Sequence, residues 1–395
     1  MSHLSPTAAD RAFPVELAEM DRPEDGRVAA PAANPFTIGV EEEFHLVDPV
    51  TCTSAPDAAL ILSRGDWEGR VSPELQASMI ETRTAVCDTL GELRAQLVCS
   101  RRELVAAAAE IGCGLVAAGT MPTCDWSEQR ITSTPRFEQM LENYQLVARE
   151  QLICSCQTHV GIQDDELAIQ IMNRARPWLP ILLALSASSP YWTGVDTGYQ
   201  SYRYEQWRRW PTSGIPQRFE SRAAYDAVVE TLRAANGITD PGMLYWDLRP
   251  SDRYGTLEFR IADACTTVDE ATLQAALARG IVRTCHNEVI DDEPQPLVCW
   301  ELLTFASWQA ARFGLTGNLI DVQAGRPVPA TERLKQLLNY VRSALEEHGD
   351  WEEVVALAEC VVQRGTSSQR QREAFSRREC LTDVVDLLIA ETAAA

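Results

Sequence analysis

With 395 residues, of which 45% are hydrophobic, the chain can bury a large core, either as one large domain or as two or three smaller ones. Its formal net charge of −22 argues against a nucleic-acid partner, because such proteins concentrate positive charge on one face. Lys335 is the single lysine, and no Gly-Lys-Ser/Thr tripeptide is present, which excludes a P-loop.

The N-terminal residues 1–34 mix Pro, Ala and acidic residues without periodicity, and we expect a disordered tail. They contain no apolar run typical of a signal peptide, and no stretch in the chain has the 18 apolar residues of a membrane span. The twelve cysteines include no Cys-x-x-Cys pair, which favours buried thiols in a reducing compartment. We therefore expect a cytoplasmic protein without a membrane partner.

The first predicted strand covers residues 37–47. Because residues i and i+2 of a strand share a face, Glu41 and Glu43 lie on one side together with His45. We expect His45 to border a site there without serving it. The opposite side is apolar, with Ile38, Val40, Phe44 and Leu46.

Three further strands follow the same rule. Residues 72–84 alternate with Glu81 and Arg83 on one face, and residues 153–162 place His159 on a polar face. Residues 256–261 place Glu258 and Arg260 together, opposite three apolar side chains. If these strands share one sheet, one of its faces is core and the other is covered with oxygen and nitrogen ligands.

The rest of the chain is mainly helical in pattern. Apolar spacing predicts helices over residues 90–111, 137–148 and 168–187, the last broken near Pro177, and further helices from residue 269 onward. Residues 188–219 predict a long aromatic loop. Because strands and helices do not alternate strictly, the pattern favours an α+β fold with a mostly antiparallel sheet.

Carboxylates gathered on one face suit Mg²⁺, which prefers oxygen ligands, so Glu41, Glu43, Glu81 and Glu258 are candidate metal ligands, with His159 as a nitrogen ligand. Arg203, Arg249 and Arg260 suit phosphate, since guanidinium binds it in a bidentate manner. For each group a simpler interpretation exists. The acidic triplet can be surface decoration, and an arginine beside acids can be a structural ion pair.

Several separated motifs together resemble one known family. They are Gly39-Val-Glu-Glu-Glu-Phe44, Glu74…Glu81-Thr, His159-Val-Gly161, Leu185-Ser-Ala-Ser-Ser-Pro-Tyr-Trp192 with Asp196-Thr-Gly198 and Ser201-Tyr-Arg203, Arg249-Pro-Ser…Gly255-Thr-Leu-Glu258-Phe-Arg260…Asp263, and Gln363-Arg-Gly-Thr366 with Gln371-Arg372. Over residues 35–385 the chain resembles the glutamate–cysteine ligase type 2, or carboxylate–amine ligase, family of the glutamine synthetase-like superfamily.

The resemblance implies a glutamine synthetase-like catalytic fold: a curved, mostly antiparallel sheet that holds ATP and Mg²⁺ on its concave face, with helices packed on its back. It implies one ATP-dependent ligase catalytic domain over residues 35–388. The implied metal positions are Glu41, Glu43, Glu81, His159 and Glu258. The implied positions for phosphate or substrate are Arg83, Arg203, Arg249 and Arg260, of which Arg203 and Arg260 would be catalytic.

Two departures from the family pattern concern the substrate and the closing of the site. Gln157 stands where the family often has a second histidine, and Ser367-Ser368 stands where it usually has Gly-Ala. The resemblance implies amide formation from an amino-acid carboxylate and an amine through an acyl-phosphate, with glutamate and cysteine as the default pair. The alternatives are an ATP:guanidino phosphotransferase, a non-catalytic nucleotide-binding relative and a metal-dependent hydrolase. The oligomeric state stays open, with a homodimer as one option.

Overall fold

A computed structural model describes residues 36–394, so the predicted tail over residues 1–34 lies outside the described residues. The strands, in chain order, are β1 (Ile38–Val47), β2 (Val71–Pro73), β3 (Met79–Arg83), β4 (Gly114–Val116), β5 (Cys156–Gly161), β6 (Tyr191–Trp192), β7 (Val195–Asp196), β8 (Leu248–Pro250), β9 (Thr256–Phe259), β10 (Asn318–Asp321) and β11 (Arg326–Pro329).

The helices are α1 (Ala58–Leu62), α2 (Leu90–Glu110), α3 (Pro135–Tyr144), α4 (Leu146–Arg149), α5 (Asp165–Ala175), α6 (Leu179–Ser186), α7 (Tyr202–Trp207), α8 (Arg222–Ala234), α9 (Val268–Ile290), α10 (Trp300–Phe313), α11 (Ala330–His348), α12 (Trp351–Arg364), α13 (Ser367–Arg378) and α14 (Leu381–Ala393). Helices α2, α5 and α6 begin and end within a few residues of the helices predicted over residues 90–111 and 168–187, and the chain from residue 269 onward is mainly helical, as predicted.

One sheet contains the strands that were predicted to carry the polar residues. Its order is β2-β3-β1-β5-β9-β8, and β4 joins the carboxyl-terminal end of β1. Every pair of neighbours runs antiparallel. In this register Glu43 lies opposite Glu81, and Glu258 lies opposite both His159 and Arg249. Residues directly opposite each other share a face, so the predicted polar face is confirmed.

The other face of the sheet is the core. Ile38, Val40 and Val160 are buried there against helices α2, α5 and α9. The predicted α+β architecture, with a mostly antiparallel sheet and helices behind it, is therefore confirmed.

One charged residue of β1, Glu42, lies on the core side of the sheet. Glu42 points to the apolar side and is 2% exposed, and it pairs there with the fully buried Arg101 of α2. Arg101 also donates to the carbonyl oxygens of Cys265 and Thr266, both at 2.7 Å. Glu42 is thus a structural acid, because its charge is balanced inside the core.

Three local predictions differ from the structure. The strand predicted over residues 72–84 is a hairpin, since β2 and β3 are separate antiparallel strands. The helix predicted over residues 137–148 divides at Gln145, whose φ is 49°. The loop predicted over residues 188–219 contains the hairpin β6–β7 and helix α7. The hairpin β10–β11, which lies between two helices, was not predicted at all.

The prediction of buried thiols is confirmed for eight of the twelve cysteines, whereas Cys99 and Cys299 are exposed and Cys360 and Cys380 are half-buried. All twelve cysteines are free, and Lys335 is exposed. Cys156 packs in the same core cluster as Val160, whereas Cys154 packs in a second cluster with Met79 and Leu152. The regular alternation does not reach Cys154, because β5 begins at Cys156. Among residues 36–394, no helix combines the length and the hydropathy that a bilayer crossing requires.

Candidate active site

Three carboxylates meet on the polar face of the sheet. Glu43 of β1, Glu81 of β3 and Glu74, which follows β2, each offer an oxygen within 4.8 Å of the others. Glu74 was not predicted as a site residue, although it occurs in one of the family motifs. It lies in the turn between two strands, where no alternation marks the direction of its side chain.

This acid cluster, Glu43, Glu74 and Glu81, contains unfavourable negative charge. Burial raises the pKa of Glu74 well above its ordinary value, and the charges of Glu43 and Glu81 raise it further. Burial and the neighbouring Glu81 also raise the pKa of Glu43. The cluster therefore fits a divalent cation, because oxygen donors that repel one another are stabilised by a hard positive ion.

A second group of ionisable residues lies beside the acid cluster and is better balanced. The His159 Nε2 atom is 3.8 Å from Glu41 Oε1, and His159 Nδ1 lies 3.0 Å from the Thr256 hydroxyl. Burial alone would lower the pKa of His159, but the nearby carboxylates of Glu41 and Glu258 outweigh it and raise that pKa. Burial would raise the pKa of Glu41, but His159 outweighs burial and lowers it.

Glu258 is held by two arginines. Arg249 Nε donates to Glu258 Oε2 at 2.9 Å, Arg249 Nη2 donates to Oε1 at 3.3 Å, and Arg260 donates to the same Oε1. Burial would raise the pKa of Glu258, but Arg249 and Arg260 outweigh it and lower that pKa. The remaining nitrogen of Arg249, Nη1, donates to the carbonyl oxygens of Pro241, Gly242 and Leu244.

Arg203 and Arg260 differ from Arg249 in keeping free donors. Arg203 donates to the carbonyl oxygens of Ile261 and Arg260, at 3.1 and 3.2 Å. The guanidinium carbons of Arg203 and Arg260 lie 5.6 and 5.5 Å from the centre of the Trp207 ring. Among the described residues, neither Nε atom has a hydrogen-bond partner, although both are buried. These two buried N–H groups therefore lack an acceptor in the described part of the protein.

Three other predicted positions lie around these groups. Arg83 donates to Glu81 at 2.6 Å and to Ser72 at 3.0 Å, and its side chain is 35% exposed at the rim. Gln157 donates to Glu43 at 2.9 Å and accepts from Arg260, so it connects the acid cluster to the arginines. His45 is buried farther along β1, and burial lowers its pKa to about 4.

The second departure from the family pattern lies at the start of α13. The Ser367 hydroxyl accepts from Thr266 at 2.6 Å, and the Ser368 amide donates to the Ala187 carbonyl at 3.0 Å. Both serines are buried. Ser368 thus joins α13 to the segment that begins at residue 187, and Ser367 joins α13 to Thr266, just before α9.

The structure brings all the predicted site residues to one face of the sheet or its rim, but it divides the predicted metal ligands. Glu43 and Glu81 join Glu74, whereas Glu41, His159 and Glu258 form the balanced group. Sequence reasoning could have included Glu74, which belongs to a quoted motif. It could not have distinguished Arg249, whose nitrogens are all bonded, from Arg203 and Arg260.

Comparison with known proteins identifies relatives over nearly the whole chain. The profile of "Glutamate-cysteine ligase family 2 (GCS2)" matches residues 37–386. A protein of Mycolicibacterium smegmatis named "Putative glutamate--cysteine ligase 2-2" is 46% identical over 366 residues, which cover 92% of this chain and 91% of that protein. A Frankia alni protein named "Putative glutamate--cysteine ligase 2-3" is 46% identical over 91% of this chain. The chain spans 42% of the length of that Frankia protein.

Two solved structures share the fold at low sequence identity. The glutamate–cysteine ligase of Francisella tularensis, in complex with AMP, has a TM-score of 0.66 and 10% identity, covering 92% of this chain and 90% of that one. A bifunctional glutathione synthetase of Pasteurella multocida has a TM-score of 0.67 and 14% identity, covering 91% of this chain and 52% of that one.

Proposed function

The chain belongs to glutamate-cysteine ligase family 2, and from this premise we propose that it is an ATP- and Mg²⁺-dependent carboxylate–amine ligase. Its substrates in this proposal are the γ-carboxylate of glutamate and the amino group of cysteine or of another amine. The observation that carries the proposal is the acid cluster with two arginines beside it that keep unpaired donors. The Francisella enzyme of the same fold was solved with AMP, which supports a nucleotide as one substrate.

In the proposed reaction, a carboxylate oxygen of the first amino acid attacks the γ-phosphorus of ATP, and ADP leaves. The amine nitrogen of the second substrate then attacks the acyl carbon, phosphate leaves with the bond electrons, and the nitrogen loses a proton. This chain contributes positioning and charge stabilisation to both steps. Arg203 and Arg260 bind the transferring phosphoryl group through their unpaired N–H donors.

Glu43, Glu74 and Glu81 are the residues that would hold Mg²⁺ in the acid cluster. When bound, the ion would supply neutralisation of phosphate charge. Glu41, His159 and Glu258 would form a second set of ligands. Arg249 orients Glu258, since all three of its guanidinium nitrogens are bonded to protein groups. Arg83 lies at the rim, where it would contact substrate or nucleotide.

The proposed partners are small molecules: ATP and amino acids. We propose a cytoplasmic location, where ATP is abundant and the twelve free cysteines would stay reduced. A homodimer is the oligomeric state in this proposal.

The decisive experiment measures phosphate release with Mg²⁺ and ATP across pairs of amino acids, followed by mass measurement of the product. The proposal expects one phosphate per amide formed and a product mass equal to the two substrates minus water. A phosphorylated amine without free phosphate would instead identify a guanidino phosphotransferase. Turnover without ATP would identify a hydrolase. No turnover with any pair would favour the non-catalytic relative.

Two variants connect this activity to the site. Glu43→Gln should lower kcat by at least tenfold, because it removes an anionic ligand from the acid cluster. Glu110→Gln makes the same charge change at an exposed position at the end of α2 and should leave kcat unchanged. Equal activity of the two variants would contradict the assignment of the acid cluster.

A further inference from the structure

Asp263 is a buried carboxylate that the proposed reaction does not use. It follows β9 by four residues and is 0% exposed. Its oxygens accept three hydrogen bonds, from the Ser188 amide at 3.0 Å and from the hydroxyls of Ser189 and Ser201, both at 2.7 Å. These donors come from two segments, before and after the hairpin β6–β7. Asp263 therefore ties both ends of that hairpin to the sheet.

The hydroxyls of Ser189 and Ser201 also accept hydrogen bonds from helix α7. The Arg203 amide donates to Ser189 Oγ at 3.0 Å, and the Tyr204 amide donates to Ser201 Oγ at 3.3 Å. First-turn amides have no partner inside a helix, and α7 has only six residues with which to hold its own shape. Because each hydroxyl gives its proton to Asp263, its lone pairs are directed to the helix. The carboxylate thus orients both capping groups.

The side chain of Arg203 is bound by the same stretch of backbone. Its Nη1 and Nη2 atoms donate to the carbonyl oxygens of Ile261 and Arg260, which precede Asp263 by two and three residues. Asp263 therefore fixes the relative position of the helix that carries Arg203 and the segment that carries Arg260. The two arginines share the ring of Trp207, so a small shift of α7 would change the distance between their free N–H groups.

We infer that Asp263 is a positioning residue that holds Arg203 beside Arg260 for the phosphoryl group, through the hydroxyls of Ser189 and Ser201. This inference rests on the proposed function, because it assigns a role within that reaction. A purely structural role would stabilise the fold without acting through Arg203. The two roles differ in how an Asp263 variant combines with an Arg203 variant.

The kinetic test uses Asp263→Asn, which keeps the shape but turns an N–H toward groups that themselves donate. It should lower kcat by about 10- to 100-fold, since misplacement of a reacting group by about 1 Å has effects of this size. The KM for ATP should change less than about twofold, because the other contacts of the site are kept. In an Arg203→Ala background the same change should cost less than about twofold. If the kcat losses of Asp263→Asn and Arg203→Ala instead multiply in the double variant, the inference is overturned.

Control variants separate a loss of positioning from a general loss of folding stability. Asp321→Asn alters another buried carboxylate, one that accepts the amides of Gln323 and Ala324 in the hairpin β10–β11, and it should leave kcat unchanged. If Asp263→Asn does not fold, Ser201→Ala and Ser201→Thr take its place. Threonine keeps the hydroxyl and should restore kcat to within about threefold of the parent, whereas alanine should not. Equal activity of these two variants would overturn the inference.

Hydrogen exchange makes the test independent of activity. In Asp263→Asn, the amides of Arg203 and Tyr204 should exchange at least tenfold faster, while the amide of Val160 in β5 keeps its protection. Unchanged protection of both α7 amides would overturn the inference even if kcat falls. If the parent protein forms no amide from any substrate pair, the proposed function fails, but the exchange result still decides whether Asp263 holds α7.

Discussion

Replacing Glu74 by glutamine should stabilise the protein when divalent cations are absent and weaken its response to Mg²⁺. Glu74 lies within 4.8 Å of ligand oxygens on Glu43 and Glu81. At an effective dielectric constant near 20, two full charges at that distance repel each other by about 3.5 kcal/mol. Partial protonation relieves some of this cost, because burial and both neighbours raise the pKa of Glu74. We therefore expect a net gain of about 1–3 kcal/mol.

The measurement is urea-induced unfolding at pH 8, in EDTA and in Mg²⁺. Parent protein should gain about 2.7 kcal/mol at a Mg²⁺ concentration 100 times its Kd, and Glu74→Gln should gain less than half as much at the same concentration. Glutamine can still accept the hydrogen bond that Glu74 takes from the Leu75 amide at 3.0 Å, so the turn should persist. The exposed control Glu110→Gln should change stability by no more than about 0.5 kcal/mol. A Glu74→Gln protein that is destabilised equally in EDTA and in Mg²⁺ would refute the reasoning.

Three further predictions concern buried groups around the site. Arg101→Met should lower the free energy of unfolding by about 3–5 kcal/mol, because it leaves Glu42 charged and unpaired in the core, and adding Glu42→Leu should recover most of this loss in urea titrations. Burial raises the pKa of Asp247 from 3.8 to about 6, so the parent loses up to about 3 kcal/mol of stability as the pH rises through that window. Asp247→Asn should therefore be more stable than the parent at pH 8, and the difference should vanish toward pH 4. Gly119→Ala would place a Cβ 2.8 Å from the Asp263 carboxyl carbon. It should therefore lower both kcat and the melting temperature. Unchanged values of both would show that the residues around Asp263 can shift to accommodate the methyl group.

The sequence predicted the residues whose direction follows from a period of two. Glu41 and Glu43 lie on the polar face of β1, and Glu258 and Arg260 on that of the segment around β9, because alternation sets the face once a strand is recognised. Glu74 could not be found in this way, since it lies in a turn. Glu42 was given no predicted role. Alternation places it in the core, and only the tertiary structure provides its partner, Arg101, 59 residues away.

The arginines show a second limit of sequence reasoning. Arg203, Arg249 and Arg260 have the same chemistry, and all three lie among acids or aromatic residues in the sequence. Only the structure separates Arg249, whose guanidinium nitrogens all donate to protein groups, from the two arginines that each keep an unpaired Nε. The distinction depends on long-range contacts, because the carbonyl groups that surround each arginine are placed by loops without a periodic pattern.

The charge balance of the polar face explains why one predicted set of metal ligands became two groups. Among residues 36–394, the acid cluster has a single ion pair, between Glu81 and Arg83, while Glu43 accepts from neutral donors on Ser155 and Gln157. Glu41 and Glu258 are instead matched by His159, Arg249 and Arg260. A free divalent cation gains more where the protein supplies less positive charge of its own. In the proposed reaction the acid cluster is therefore the first cation site. In this proposal the balanced group would bind a second cation only after phosphate had drawn Arg260 away from Glu258.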